Sequence, residues 1–128
     1  MKLAVNIIIA ATNQSVAEAL ALAEESGIDR ARAYETLTAS AVASPFISYK
    51  REAFLHPGEG PVSFTTALMK KDLELAMDVA DGLTLPVTAA ARDFLSTACA
   101  AGLADADFAS VIQVLRPLPD QRFLISES

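Results

Sequence analysis

Residues 2–26 read as one long helix that runs without a break to Gly27, the left-handed stop just past its end. Leu3, Ile7, Ile8, Ala11, Leu20 and Leu22 leave little polar circumference, above all in its first half. A helix apolar nearly all round is buried between partners, not laid on a surface, so the rest of the chain has to supply packing elements. Its polar exceptions are ordered. Lys2 and Asn6 are four apart and Asn13 is seven further on, so the three share one strip with small Ala10 and Ala17 nearby. Such a strip either borders a polar cleft or hydrogen-bonds to neighbouring helices, and spacing alone leaves both open. Met1 to Ala11 has the outline of a short signal peptide, but Asn6 interrupts the apolar run and the helical pattern continues to Ser26. The same interruption makes it too short for a membrane span, so no membrane partner is expected and the chain is read as cytoplasmic.

The remaining residues supply the partners as further helices. Asp29 caps a second helix through Tyr34 and Leu37 to about Ala39. Ser44-Pro45, a cap followed by proline at the first helical position, starts a third that runs to about Leu55. The loop from His56 to Pro61 is the longest, and Ser63 or Thr65 is available to cap the helix after it. Gly82 ends that helix, Leu85-Pro86 begins another that Gly102 closes, and Asp107 caps a short last one from Phe108 to Leu115. Phe94 and Leu95 mark the buried side of the alanine-rich fifth helix. No segment alternates with period two for long enough to make a strand. The expected fold is all-α, about six helices around one long N-terminal helix, with a domain at 1–119 and a polar tail at 120–128.

Charge and composition exclude several functions. The net charge is −6, and no basic cluster is longer than Lys50-Arg51 or Lys70-Lys71, so nothing would neutralise a run of phosphates and nucleic-acid binding is not expected. One cysteine and one histidine leave no internal disulfide and no expected metal centre, and argue against a Ser-His triad. Neither a Gly-x-Gly-x-x-Gly fingerprint nor a P-loop is present.

The stretch from Phe64 to Ala76 carries the other chemical signal. Leu68, Leu75, Ala76, Val79 and Leu83 recur at helical spacing as an apolar stripe, and Asp72 falls on it directly after Lys71. An ionised carboxylate aimed near the interior needs an answer from helix-end amides, a lysine or water. It is either a structural aspartate tying two helices together or part of a site.

These residues resemble, almost end to end, the C-terminal helical domain of the β-hydroxyacid dehydrogenases, the group of 3-hydroxyisobutyrate dehydrogenase, tartronate semialdehyde reductase and the glyoxylate/succinic semialdehyde reductases, related to 6-phosphogluconate dehydrogenase. Lys2-Leu3-Ala4-Val5-Asn6 is similar to the family's Lys-x-x-x-Asn, and Glu18-Ala19-Leu20 with Ser26-Gly27-Ile28-Asp29 to its next segment. Phe64…Leu68-Met69-Lys70-Lys71-Asp72-Leu73…Leu75-Ala76 fits its Phe-x-x-x-Leu-Met-x-Lys-Asp-Leu-x-Leu-Ala signature, the most specific of the matches. Leu85-Pro86 and Ala101-Gly102-x-x-Asp-x-Asp-Phe-Ala follow in the right order. The resemblance implies an NAD- or NADP-dependent oxidoreductase that interconverts a small 3-hydroxy acid and its semialdehyde or oxo acid. It implies Lys2 as the catalytic acid–base and Asn6 as the residue that orients substrate or lysine. Phe64 and Lys71 would sit at the nicotinamide end of the cofactor, with Asp72 as a buried orienting carboxylate. It also implies a dimer packed through the long first helix.

The departures shape the expectation. The family's N-terminal Rossmann domain, which holds the dinucleotide, has no counterpart here and would act in cis or in trans. Val5 stands where the family commonly has a second asparagine. Met1 directly precedes Lys2, so the lysine is expected to be frayed and hydrated, and a hydrated lysine is a poor general acid–base. The isolated chain is therefore expected to be inactive, a substrate-capping and dimerisation half. The alternative is a helical self-association domain derived from such an enzyme and no longer catalytic. Imine reductases share the architecture but generally lack a lysine at the position of Lys2, and rank third.

Overall fold

A computed structural model describes residues 1–116, and the 120–128 tail lies outside the described residues. Its first element is α1, Lys2–Glu25, ended by the expected left-handed Gly27 at φ 89°. There follow α2, Arg30–Thr38, α3, Pro45–Tyr49, α4, Arg51–Leu55, α5, Thr66–Ala80, and α6, Pro86–Ala98. A wide helical turn over Cys99–Leu103, broken at Gly102, and a 3-10 segment, Phe108–Val114, complete the described chain. The architecture is all-α, as the sequence implies, and α1 is its axis: α2, α5, α6 and the 3-10 segment all pack on it.

Local chemistry sets the starts of these helices. The Asp29 carboxylate accepts from the Ala31 and Arg32 amides, Ser44 Oγ from Ile47, Thr65 Oγ1 from Leu68, and Asp107 from Ala109. Of the two caps offered for α5, Thr65 takes the position. The expected third helix is in fact two short ones, α3 and α4, meeting at Lys50. Tyr34 latches α2 to this pair, its hydroxyl donating to the Ile47 carbonyl at 2.6 Å. Burial pushes the Tyr34 phenol up to about 12, against a small opposing pull from Arg51. Arg30 ties the same region together, donating to Glu24 of α1 and to the Phe54 carbonyl.

Two expectations about faces need correction. On α5 the buried positions are Thr66, Met69, Leu73 and Ala76, whereas Leu68, Leu75 and Val79 of the expected stripe are exposed, as is Leu83 beyond the helix. α5 carries apolar side chains on adjacent faces, and the one that meets α1 and α6 is the face of Met69 and Leu73. On α1 the inward face is Ala10, Asn13, Val16, Ala17 and Leu20, while Ile8 and Leu22 are 68% and 70% exposed. The helix is thus not enclosed all round within one chain. At 24 residues, with a mean hydropathy of 1.3 over its most apolar window, α1 is also long and apolar enough to cross a bilayer, contrary to the expectation from its length. Core helices meet the same test, and the apolar side chains of its inward face, Ala10, Val16, Ala17 and Leu20, lie in the hydrophobic core.

Candidate functional site

The N-terminus of α5 is joined to the start of the 3-10 segment by a short antiparallel bridge between Thr65 and Asp107. The Thr66 amide donates to the Ala106 carbonyl at 2.9 Å and the Phe108 amide to the Phe64 carbonyl at 3.0 Å. This backbone stitch brings the Phe64 and Phe108 rings together edge to face, with centroids 6.3 Å apart. The first turns of α1 lie across from them. Between them is a cleft of about 250 Å³ lined by Lys2, Asn6, Ile9, Tyr49, Ser63, Phe64, Met69 and Phe108.

Three of the five residues singled out from the sequence therefore share one cleft: Lys2, Asn6 and Phe64. Asp72 stands behind it on α5, half-buried, and its carboxylate accepts from Asn6 Nδ2 at 2.6 Å. That bond spans 66 residues of sequence and fixes the amide plane of Asn6, leaving its oxygen and second amide hydrogen for the cleft. Lys2 is exposed, in keeping with its place at the end of α1, whose first residue has no side-chain cap. Lys71 is exposed on α5 and does not line the cleft. Asn13, the third member of the α1 strip, is buried instead: its amide donates to the Phe108 carbonyl at 3.1 Å, and its own oxygen has no partner.

On the cleft's far wall, sequence reasoning missed Lys50 and its cluster with Ser63 and Asp107, two residues read from the sequence only as helix caps. Lys50, only 2% exposed, places its ammonium 2.7 Å from the Asp107 carboxylate and 2.7 Å from Ser63 Oγ, with the Phe108 ring centroid 4.1 Å away. Asp107 also accepts from the Ser63 amide at 3.1 Å and the Ala109 amide at 3.0 Å. Burial pushes the Asp107 carboxyl up, but the bonds from Lys50, the Ala109 amide and Ser63 outweigh it and hold the group below its usual range. Burial pushes the Lys50 ammonium down, and Asp107 offsets part of this. One signal for Lys50 was present: Phe46, Lys50 and Phe54 are four apart, so the lysine shares the face of two buried aromatics.

The cleft has the chemistry for a planar ring or a small polar acid: aromatic walls, an amide, a lysine and a hydroxyl. Its volume is below the roughly 300–1,000 Å³ usual for a drug-sized ligand, so it takes a small molecule or one end of a larger one. Larger grooves of about 480 and 420 Å³ flank α1 on either side, against α6 and against α2 and α3, and are mostly apolar.

Residues 1–115 match a family model described as "NAD-binding of NADP-dependent 3-hydroxyisobutyrate dehydrogenase". Glyoxylate/succinic semialdehyde reductase 2, chloroplastic, of Arabidopsis thaliana is 31% identical over 118 residues, covering 91% of this chain and 33% of that protein. The cytokine-like nuclear factor N-PAC of Anopheles gambiae is 34% identical over 113 residues, covering 87% of this chain and 20% of that protein. The solved 3-hydroxyisobutyrate dehydrogenase of Salmonella typhimurium matches with a TM-score of 0.81 at 25% identity, over 89% of this chain and 40% of that one. The chain spans about a third of the length of the first of these relatives.

Proposed function

The chain belongs to the family of NAD-binding domains of NADP-dependent 3-hydroxyisobutyrate dehydrogenases, and from that premise we propose that it is the helical, substrate-capping half of an enzyme interconverting a small 3-hydroxy acid and its semialdehyde or oxo acid. The observation that carries this reading is the convergence of Lys2, Asn6 and Phe64 on one cleft, with Asp72 bonded to Asn6 behind it. A nicotinamide cofactor, which Phe64 and Lys71 would help to hold, would supply the hydride chemistry when bound. Lys2 Nζ donates a proton to the substrate carbonyl oxygen on reduction and takes it back from the hydroxyl on oxidation. The side chain of Asn6, held by Asp72, orients the substrate oxygen toward that lysine. Phe64 and Phe108 wall the cleft and exclude water. Lys71, exposed on α5, would approach the cofactor at its nicotinamide end. The remaining dinucleotide contacts belong to a Rossmann domain, covalently joined or supplied by a second polypeptide, and without it this chain is inactive. A soluble, cytoplasmic setting is part of the same proposal.

The exposed apolar residues of α1 and the two grooves beside it support self-association through this helix, with Ala11 and Ser15 as the small residues between the grooves. Self-association fits the catalytic reading and also the second one, a non-catalytic helical domain. One experiment separates them. The chain is mixed with a matching dinucleotide-binding domain, and NADPH or NADH oxidation is followed with small semialdehydes. Turnover that needs both polypeptides and disappears in Lys2→Ala supports the enzyme reading. A stable dimer with no turnover for any semialdehyde or oxo acid favours the second reading, and turnover by this chain alone overturns its assignment as an inactive half.

A further inference from the structure

Catalysis as set out above uses Lys2, Asn6, Phe64 and Asp72 and gives Ser63 no task, although Ser63 lines the same cleft. Its Oγ lies 2.7 Å from Lys50 Nζ and 3.0 Å from Asp107 Oδ1. A serine hydroxyl has one hydrogen and two lone pairs. The Lys50 ammonium can only donate, so it occupies one lone pair. An ionised carboxylate can only accept, so the hydroxyl hydrogen is drawn to Asp107; turned elsewhere, it would leave two oxygens facing each other through lone pairs at 3.0 Å. One lone pair remains. To any further partner, Ser63 Oγ can offer an acceptor and has no hydrogen to give.

The surroundings keep this arrangement in place. The Ser63 amide is itself bonded to Asp107 Oδ1 at 3.1 Å, which restrains the backbone that carries the hydroxyl. Lys50 is buried and sits over the Phe108 ring, so its ammonium does not swing out to water without losing three partners at once. Its charge is already answered by Asp107, so it offers little attraction to a second anion.

We propose that Ser63 is a ligand-binding residue, fixed by Lys50 and Asp107 as a hydrogen-bond acceptor that selects an N–H or O–H donor on the bound molecule and rejects a carboxylate at that point. For the identity of the ligand this rests on the function proposed above, which offers two sources of such a donor. One is the carboxamide of a nicotinamide ring; the other is the hydroxyl of a small hydroxy acid.

Two matched pairs of probes separate these sources. The isotopically labelled chain is titrated with nicotinamide mononucleotide against nicotinic acid mononucleotide, and with 3-hydroxyisobutyrate against isobutyrate, following the amide signals of Ser63, Phe64 and Phe108. In at least one pair the donor-bearing member binds about five-fold more tightly or better, the range of one good hydrogen bond. Ser63→Ala brings the two members of that pair within about two-fold, Ser63→Thr restores the preference, and the signals of α1 and α5 stay in place in both variants. Preference in the first pair assigns the cofactor end, and in the second the substrate. No preference in either pair, a preference that survives Ser63→Ala, or no binding of any probe overturns the proposal. These ratios stand apart from turnover: a reconstituted enzyme that reduces semialdehydes while Ser63→Ala leaves all preferences intact refutes only the role of Ser63. A preference that behaves as expected, with no turnover, refutes only the reaction.

Discussion

Two carboxylates anchor the cleft from opposite sides, and they are built on different terms. Asp72 is half-buried on α5 and holds one asparagine amide of α1 at 2.6 Å. Asp107 is buried at the start of the 3-10 segment and gathers a lysine, a serine hydroxyl and backbone amides from two segments. The first junction is neutral on one side and lies within reach of water, so losing its partner leaves a carboxylate that can still be hydrated. The second sets an ammonium and a carboxylate together away from water, where each is tolerable only because the other is present. A cleft so built has one wall whose contacts can be changed cheaply and one that is part of the fold.

The sharpest way to break this comparison is to remove one partner from the buried wall. Lys50→Met is expected to lower unfolding free energy by about 3–5 kcal/mol, because it strands the Asp107 carboxylate. Urea unfolding followed by circular dichroism checks this. Adding Asp107→Asn to Lys50→Met removes the stranded charge while keeping an oxygen for one of the two amides, Ser63 on Oδ1 or Ala109 on Oδ2, so the double variant recovers part of the loss. If the double variant is less stable than the single one, Asp107 acts mainly as a cap and not as half of an ion pair.

Acid tests the same wall from the carboxylate side. Asp107 is held below its usual range in the folded chain. Its stabilising contribution is therefore complete above the unfolded value of about 3.9 and is lost as pH falls from there through the lower folded value. The urea midpoint is expected to fall as pH drops below about 4, and Asp107→Asn, less stable at neutral pH, flattens that part of the curve. An unchanged acid slope in Asp107→Asn would assign the loss to other carboxylates.

The two walls also differ in how well they can be read from sequence. Lys2, Asn6, Phe64 and Asp72 lie on runs whose spacing or resemblance marks them, and the bond between Asn6 and Asp72 answers the question of what meets a carboxylate on an apolar helix. Helix starts were legible for a similar reason: Asp29, Ser44, Thr65 and Asp107 act within three residues of themselves. Lys50 was not legible in this way, because its partners Ser63 and Asp107 are 13 and 57 residues distant. Beside Arg51 it reads as a surface pair, and only its step of four from Phe46 and to Phe54 hints otherwise. The face of α5 failed for a third reason. Leu68, Leu75 and Val79 make as good a stripe as Met69, Leu73 and Ala76, and which stripe is covered depends on where α1 and α6 lie. The break between α3 and α4 leaves no glycine or proline as a trace.

On the milder wall, Asn6→Ala is expected to cost about 1 kcal/mol of stability, the ordinary net worth of one partly exposed hydrogen bond. Its effect on the proposed reaction should be larger than its effect on folding: a fall in turnover in the reconstituted enzyme with a thermal midpoint nearly unchanged. A stability loss on the scale of Lys50→Met would erase the distinction between the walls and make Asp72 a second buried charge in need of a partner.

The smallest effect is expected two residues from the largest. Arg51 Nη1 and Glu52 Oε1 are 2.7 Å apart, the same separation as Lys50 and Asp107, but their side chains are 37% and 71% exposed. At the surface the attraction is screened and two long side chains lose freedom to make the contact, so such pairs are typically worth about 0–1 kcal/mol. Glu52→Gln is expected to shift stability by about 0.5 kcal/mol or less, and by less still in high salt, which screens exposed charges and spares buried ones. Measured beside Lys50→Met at two salt concentrations, it separates distance from burial as the cause of the difference. Equal losses in the two variants would mean that the 2.7 Å contact itself carries the energy; a loss confined to Lys50→Met, and insensitive to salt, would mean that burial does.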